Sequence, residues 1–87
     1  RRFMVKIKLL GSLTDEAGFR ERTFELKEGS RVIDLLNRAF HKRGKATSYS
    51  NVLILIDGIE ATTLPQGLNT KPGKDSEIIV IPISHGG

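Results

Sequence analysis

Glu77-Ile78-Ile79-Val80-Ile81-Pro82-Ile83-Ser84-His85-Gly86-Gly87 is the stretch that decides the fold. Ile78 to Ile81 is apolar at every position. Side chains alternate between the two faces of a strand, so such a run is apolar on both. That suits a strand in the middle of a sheet, shielded on either side. Pro82 has no N–H to give a ladder, so regular pairing is expected to end there. Ile83 to Gly87 then reads as a tail.

The partner for a central strand lies at the other end of the sequence. Phe3, Val5, Ile7 and Leu9 alternate with Lys6 and Lys8, the period-two pattern of a half-buried strand. Gly11 ends it, and Ser12 to Gly18 is a polar loop with room for a short helical turn. Arg20 to Leu26 alternates again, with Phe24 and Leu26 inward, so the first two strands form an antiparallel hairpin with a long loop. Glu28-Gly29-Ser30 breaks the pattern, and Ser30 is a credible N-cap. Val32, Ile33, Leu35, Leu36, Ala39 and Phe40 recur at helical spacing. Asp34 and Arg38 are spaced to pair one turn apart. His41, Lys42 and Arg43 complement the dipole of the last turn, and Gly44 suits a left-handed cap. The spacing predicts a helix over 31–43.

Lys45 to Asn51 reads as a polar loop. Val52 to Ile56 is a second all-apolar strand ending at the turn signal Asp57-Gly58, and Ile59 to Thr62 returns from it. Leu64 to Asp75 carries two prolines and two glycines and is irregular. The expected architecture is α+β: a mixed sheet of four to five strands with one main helix across one face. The first and last strands pair in parallel at its centre. The folded domain spans 1–82, and 83–87 is a flexible C-terminal tail.

One helix covers one face only. If Val52, Ile54, Ile56, Ile78 and Val80 face it, then Leu53, Leu55, Ile79 and Ile81 face away. Those four make a contiguous apolar patch close to the tail. Such a patch either receives a partner or lies beneath the 63–76 loop folded back across it.

Composition narrows the function. The chain has 87 residues, which is room for one small core. There is no cysteine, so disulfides, cysteine nucleophiles and thiolate metal sites are excluded. The apolar runs are far shorter than the ~20 residues of a membrane span. Arg1 and Arg2 precede no long hydrophobic stretch, so no signal peptide is expected and the default address is cytoplasmic. The formal net charge of +4 comes from Lys and Arg scattered among Asp and Glu. It reads as a mixed solvated surface, or as weak attraction to nucleic acid or an acidic partner. Phe3, Phe19, Phe24, Phe40 and Tyr49 are the only aromatics. Most belong to the core or hairpin, which leaves few platforms for stacking bases.

No acid–base or nucleophile constellation is visible, and neither is metal-ligand spacing. A phosphate-binding loop ending at Lys45 would need glycine where Ala39 stands, and Gly73-Lys74 is followed by Asp75 instead of Ser or Thr. What remains is Gly86-Gly87. Glycine lacks a side chain and takes almost any backbone angle, so such a tail can thread a narrow channel and lay a carboxylate beside a bound nucleotide. A frayed terminus would look the same.

In combination these elements resemble the β-grasp, ubiquitin-like fold, and within it the sulfur-carrier branch: the molybdopterin synthase small subunit, the thiazole-synthesis carrier, the ubiquitin-related modifier and the small archaeal modifiers. The residues that carry the resemblance run from Met4 onward. They are Val5-Lys6-Ile7-Lys8, the Gly29-Ser30 helix start with Val32, Leu35 and Leu36, Leu55-Ile56-Asp57-Gly58, Gly73-Lys74-Asp75-Ser76-Glu77-Ile78, and Ile81 to Gly87. Lys74 separates Gly73 from Asp75 where many relatives have Gly-Asp-Glu. Pro82 stands alone where the molybdopterin subunit commonly has paired prolines, and the His85-Gly86-Gly87 ending is closer to the ubiquitin-related modifier.

The resemblance implies a carrier or modifier, not an enzyme. It implies no permanently bound cofactor, with ATP consumed by a separate activating enzyme. Gly87, with Gly86, would be the point of adenylation and covalent attachment. Leu53, Leu55, Ile79, Ile81 and His85 would meet partners, with Ser84 also helping to orient the tail. The implied partners are an adenylating enzyme, a sulfur donor, and target proteins or enzymes of thiolation or cofactor synthesis, without direct nucleic acid or membrane. A ubiquitin-like binding module with an inert tail and a small basic nucleic-acid binder are the competing classes.

Overall fold

Lys6 and Glu77 stand side by side on parallel strands, and from that register the sheet is built. The structure is a computed structural model and describes residues 1–40 and 49–83. Its strands are β1 (Arg2–Leu9), β2 (Glu21–Lys27), β3 (Val52–Ile56), β4 (Ile59–Glu60) and β5 (Glu77–Pro82). Two helices, α1 (Leu13–Ala17) and α2 (Val32–Phe40), lie between them in sequence. The sheet order is β2-β1-β5-β3-β4. β1 and β2 are antiparallel with Val5 opposite Phe24, and β1 and β5 are parallel with Ile7 beside Ile78. β3 is antiparallel to β5, with Ile54 opposite Val80. The all-apolar last strand is central, as its composition requires.

One face of the sheet and the stripe of α2 make the core. Val5, Ile7, Leu9, Val32, Leu35, Leu36, Ile78 and Val80 are fully enclosed. Each such aliphatic side chain contributes about 1.5–3 kcal/mol relative to exposure. Among the described residues, every buried side-chain polar atom has a hydrogen-bond partner.

The start of α2 differs from the expectation. The Arg31 carbonyl accepts the first helical hydrogen bonds, from the Asp34 and Leu35 N–H groups, so Arg31 and not Ser30 is the cap position. Asp34 reaches back and accepts from the Arg31 N–H at 3.0 Å. This is the returning half of a capping box, made by a carboxylate three residues into the helix. The Arg31 guanidinium grips the same carboxylate at 2.9 and 3.1 Å. Asp34 is therefore not paired with Arg38, whose guanidinium instead donates to the Glu25 carbonyl at 2.9 Å. The proximity that wins is i,i+3 across the cap. The Arg31 hydrogen bond and charge hold the Asp34 carboxyl below its usual range and raise Arg31 in turn. The expected last turn, His41 to Arg43 with Gly44, lies outside the described residues.

The return strand is also shorter than expected. It stops at Glu60, and Ala61–Thr63 turns as a 3₁₀ helix. The Thr63 hydroxyl donates to the Glu60 carbonyl at 2.7 Å, giving the backbone a local alternative to the ladder. The chain from there to Thr70 joins the helix side. Leu64 and Leu68 pack on the core, and the Val32 N–H donates to the Thr70 carbonyl at 2.9 Å. The loop thus flanks α2 and does not fold over the opposite face.

Candidate functional site

Strand alternation on β3 and β5 creates the site. Ile54, Ile56, Ile78 and Val80 are buried beneath the helix layer, while Leu53, Leu55, Ile79 and Ile81 are only half-buried. Register joins the outward four: Leu53 is opposite Ile81, and Leu55 opposite Ile79. The expected patch is therefore one contiguous apolar block. Its borders are charged. On the β1 side Lys8 stands beside Ile79 and binds Glu77 at 3.2 Å, and Lys6 binds Glu21 at 3.4 Å. On the β4 side Glu60 is opposite Leu55. An apolar centre with a polar rim is the composition of a docking surface.

Two devices hold β5, one at each end. At its start, Asp57 and Gly58 both take left-handed φ, +50° and +84°, the backbone of a tight hairpin turn. That turn aims the Asp57 carboxylate at the entry to β5. It accepts from the buried Ser76 hydroxyl at 2.9 Å and from the Glu77 N–H at 2.9 Å. Ser76 Oγ in turn accepts from the Gly73 N–H at 3.0 Å. Asp75 occupies the left-handed position that lets Gly73 to Ser76 reverse direction, with φ +62°. The inserted Lys74 is thus carried in the turn, and the Asp75 N–H donates to the Met4 carbonyl.

At its other end β5 is tied on both sides. The Leu10 N–H donates to the Val80 carbonyl at 3.1 Å. Regular pairing ends at Pro82, opposite Val52, with one further bond from the Ile83 N–H to the Asn51 carbonyl at 3.0 Å. Gly11, at φ +57°, lies so close to Pro82 that a Cβ there would come within 3.1 Å of Pro82 Cγ. Ile83 also lines a shallow, largely apolar cleft of about 300 Å³ with Tyr49, Val52, Ala61 and Leu68. The backbone is thus fixed through Ile83, two residues beyond the patch. Ser84, His85, Gly86 and Gly87 lie outside the described residues.

Four of the expected site residues are therefore brought together, and His85, Gly86 and Gly87 are not described. The Asp57–Ser76 junction and the Gly11–Pro82 contact were not anticipated. Their only sequence signals are a serine between two acidic residues and a glycine next to a strand end. Among the described residues, no three histidine or acidic side chains gather as a metal ion would require. Among the same residues, no helix is long and apolar enough to cross a membrane.

A helix held across one face of a β2-β1-β5-β3-β4 sheet, with a parallel pair at its centre, is the β-grasp, ubiquitin-like fold. Solved structures share it over nearly the whole chain. The crystal structure of small archaeal modifier protein 1 from Haloferax volcanii matches with a TM-score of 0.73 at 22% identity, covering 97% of this chain and 99% of that one. Urm1 from Trypanosoma brucei matches at 0.74 and 12% identity, covering 100% and 98%. A Pyrococcus furiosus protein described as molybdopterin converting factor, subunit 1, matches at 0.70 and 23%, covering 94% and 99%. No protein-family model and no curated protein sequence matches the chain.

Proposed function

We propose that this chain is a ubiquitin-like sulfur carrier and protein modifier that reacts through a C-terminal carboxylate on Gly87. The observation that carries the reading is the open apolar block Leu53-Leu55-Ile79-Ile81 beside a strand end fixed through Ile83, in a fold shared with small archaeal modifier protein 1 and Urm1. In this reading an activating enzyme docks on the block. Four residues separate the fixed root from the carboxylate, enough at about 3.3 Å each to reach roughly a nanometre into a neighbouring pocket.

A Gly87 carboxylate oxygen then attacks the α-phosphorus of ATP. The new O–P bond forms as the α–β anhydride bond breaks, and pyrophosphate leaves. The acyl-adenylate is an activated electrophile. A hydrosulfide equivalent from a sulfur donor displaces AMP and leaves a thiocarboxylate. A lysine amine displacing AMP gives an isopeptide instead. The thiocarboxylate is a soft nucleophile suited to sulfur transfer in tRNA thiolation or cofactor synthesis. The carrier contributes placement, and its partner contributes proximity and charge stabilisation. The work is cytoplasmic, and no cofactor stays bound to the carrier. The likeness to the Pyrococcus furiosus protein favours one alternative destination for the sulfur, a pterin precursor.

The test is intact-mass measurement after incubation with an adenylating enzyme of this class, ATP and a sulfide source. The expected result is the mass gain of one oxygen exchanged for sulfur at the C-terminus. It should be lost on deleting Gly87 and reduced about tenfold or more in rate by Leu55→Asp or Ile79→Asp, which place a charge in the centre of the docking block. An unchanged mass with an enzyme active on its own carrier overturns the reading. Partner binding that survives deletion of Gly86 and Gly87 with no chemistry would leave a non-covalent binding module.

A further inference from the structure

We propose that the open face of the sheet packs against the same face of a second copy of this chain, about a two-fold axis parallel to the strands. One cross-strand row carries the signal. On the face opposite α2, Lys8 of β1 stands beside Ile79 of β5, Ile79 is opposite Leu55 of β3, and Leu55 is opposite Glu60 of β4. Across the sheet the row runs cation, apolar, apolar, carboxylate. The next row towards the end of β5 holds Ile81 opposite Leu53. Lys8 and Glu60 each lie one strand outside the β5–β3 pair. They are therefore equally far, about 7 Å, from a line drawn between those two strands.

A two-fold axis above that line reverses the order of the strands and keeps each row at its own level. Ile79 then meets the partner's Leu55, Ile81 meets the partner's Leu53, and Lys8 meets the partner's Glu60. Such an isologous contact uses one patch twice. An axis across the strands brings Lys8 towards Lys8 and Glu60 towards Glu60 instead, and like charges there oppose it. Lys8 binds Glu77 of its own chain at 3.2 Å, and Glu60 accepts from the Thr62 hydroxyl at 2.9 Å. Glu60 forms no ion pair among the described residues. An ammonium has three donors and a carboxylate about four acceptor sites, so Lys8 can bridge Glu77 and the partner's Glu60. The contact is small. Strands β1, β5, β3 and β4 span about 14 Å, and five residues run about 17 Å along them. That is a few hundred Å² per copy, below the roughly 800 Å² of a stable interface. The pairing is therefore weak and reversible, with a dissociation constant on the order of 0.1–1 mM. It covers the block assigned above to a docking partner, which would have to displace it. It needs no reactive carboxylate on Gly87.

The experiment uses the whole chain alone, without activating enzyme or ATP, so it succeeds or fails separately from the carrier chemistry. Amide and methyl resonances are followed on dilution from about 1 mM to about 20 µM. Concentration-dependent shifts are expected at Lys8, Leu53, Leu55, Glu60, Ile79 and Ile81. In a mixture of differently labelled copies, contacts between copies should join Leu55 to Ile79 and Leu53 to Ile81. Lys8→Glu and Glu60→Lys each set like charges across the axis twice, so each variant alone should self-associate about tenfold more weakly or worse. An equimolar mixture of the two restores opposite charges at both contacts and should recover most of the parent's affinity. That recovery shows both variants to be folded. Resonances independent of concentration up to about 1 mM overturn the pairing. Single variants that associate as well as the parent overturn the axis, and a mixture that fails to recover overturns the Lys8–Glu60 contact. Shifts confined to β2 and α2 overturn the location.

Discussion

Ile78 and Ile79 are neighbours of identical chemistry on one strand, yet they belong to different surfaces. Ile78 is fully enclosed with Val80 under α2, whereas Ile79 is half-buried beside Ile81 on the open face. The difference comes from coverage, because a single nine-residue helix lies across one side only. Apolar groups beneath it stabilise the fold. Apolar groups opposite gain little in the free chain and remain available to a second surface. The sharpest way to break this contrast is to truncate each in turn. Ile78→Ala should cost about 2–5 kcal/mol in urea unfolding, because a cavity opens in a closed core. Ile79→Ala should cost less, about 1 kcal/mol, because Ile79 is only partly buried on the face opposite α2, and under the proposed function it should act on docking instead. Equal losses at the two positions would mean that the open face is as structural as the closed one.

The second-largest effect is expected at the start of β5. Asp57→Ala removes two acceptors at once and leaves the buried Ser76 hydroxyl and the Glu77 N–H without their carboxylate. The expected loss is about 1–3 kcal/mol by the cost of unsatisfied buried donors. Asp57→Asn keeps the left-handed tolerance and one acceptor oxygen, so it should recover part of that. The Ser76 and Glu77 amides should lose hydrogen-exchange protection first, while the patch at Leu53 and Ile81 keeps its register. Loosening that spread evenly over the sheet would show that the junction does not act locally.

These contrasts also mark what could be read from sequence. The all-apolar Ile78 to Ile81 run and the alternation of Phe3 to Leu9 place β5 beside β1, because periodicity is a local property with a global consequence. The patch was legible for the same reason: an apolar run has two faces, and the sequence offers one main helix to cover them. Contacts between distant turns were not legible. Nothing near Asp57 in sequence indicates that its carboxylate meets Ser76, 19 residues away. Asp34 misled through an ambiguity of spacing. It can reach Arg31 or Arg38 on the same helix, and only the geometry of the cap selects Arg31. Thr62 reads as a strand residue by propensity, but local hydroxyl bonds from Thr62 and Thr63 to Glu60 turn the chain into a 3₁₀ segment.

The other end of β5 supplies a third, smaller test. Gly11→Ala puts a Cβ at a left-handed φ and 3.1 Å from Pro82 Cγ. The conformation alone costs about 1–2 kcal/mol for an L-residue, and the ring must also give way by a few tenths of an ångström. The expected loss is in that range, with the Pro82 and Ile83 resonances moving most. Compared with Asp57→Ala, the perturbation should appear at the tail root and leave the Ser76 junction protected. Under the proposed function, Gly11→Ala should also slow activation more than its stability cost explains, because it displaces the strand end at Pro82 and Ile83.

The smallest effect is expected at the Arg31–Asp34 cap, which separates surface electrostatics from burial. The Asp34 carboxyl titrates below its usual range in the folded chain, mainly because Arg31 donates to it from side chain and backbone. In the window between the folded and unfolded values, the unfolded chain binds more protons, so stability rises with pH there. The contribution is complete above the unfolded value, near pH 4, and is lost as pH falls through the folded one. Both partners are largely in water, and exposed pairs are worth about 0.2–1 kcal/mol after screening. Asp34→Asn should therefore lower stability at pH 7 by no more than about 1 kcal/mol. Its difference from the parent should shrink towards zero in acid and with added salt. Ile78→Ala should keep its full deficit across the same range, since an aliphatic cavity carries no proton. A deficit for Asp34→Asn that persists unchanged below pH 3 would assign the effect to the helix cap's packing and not to its charge.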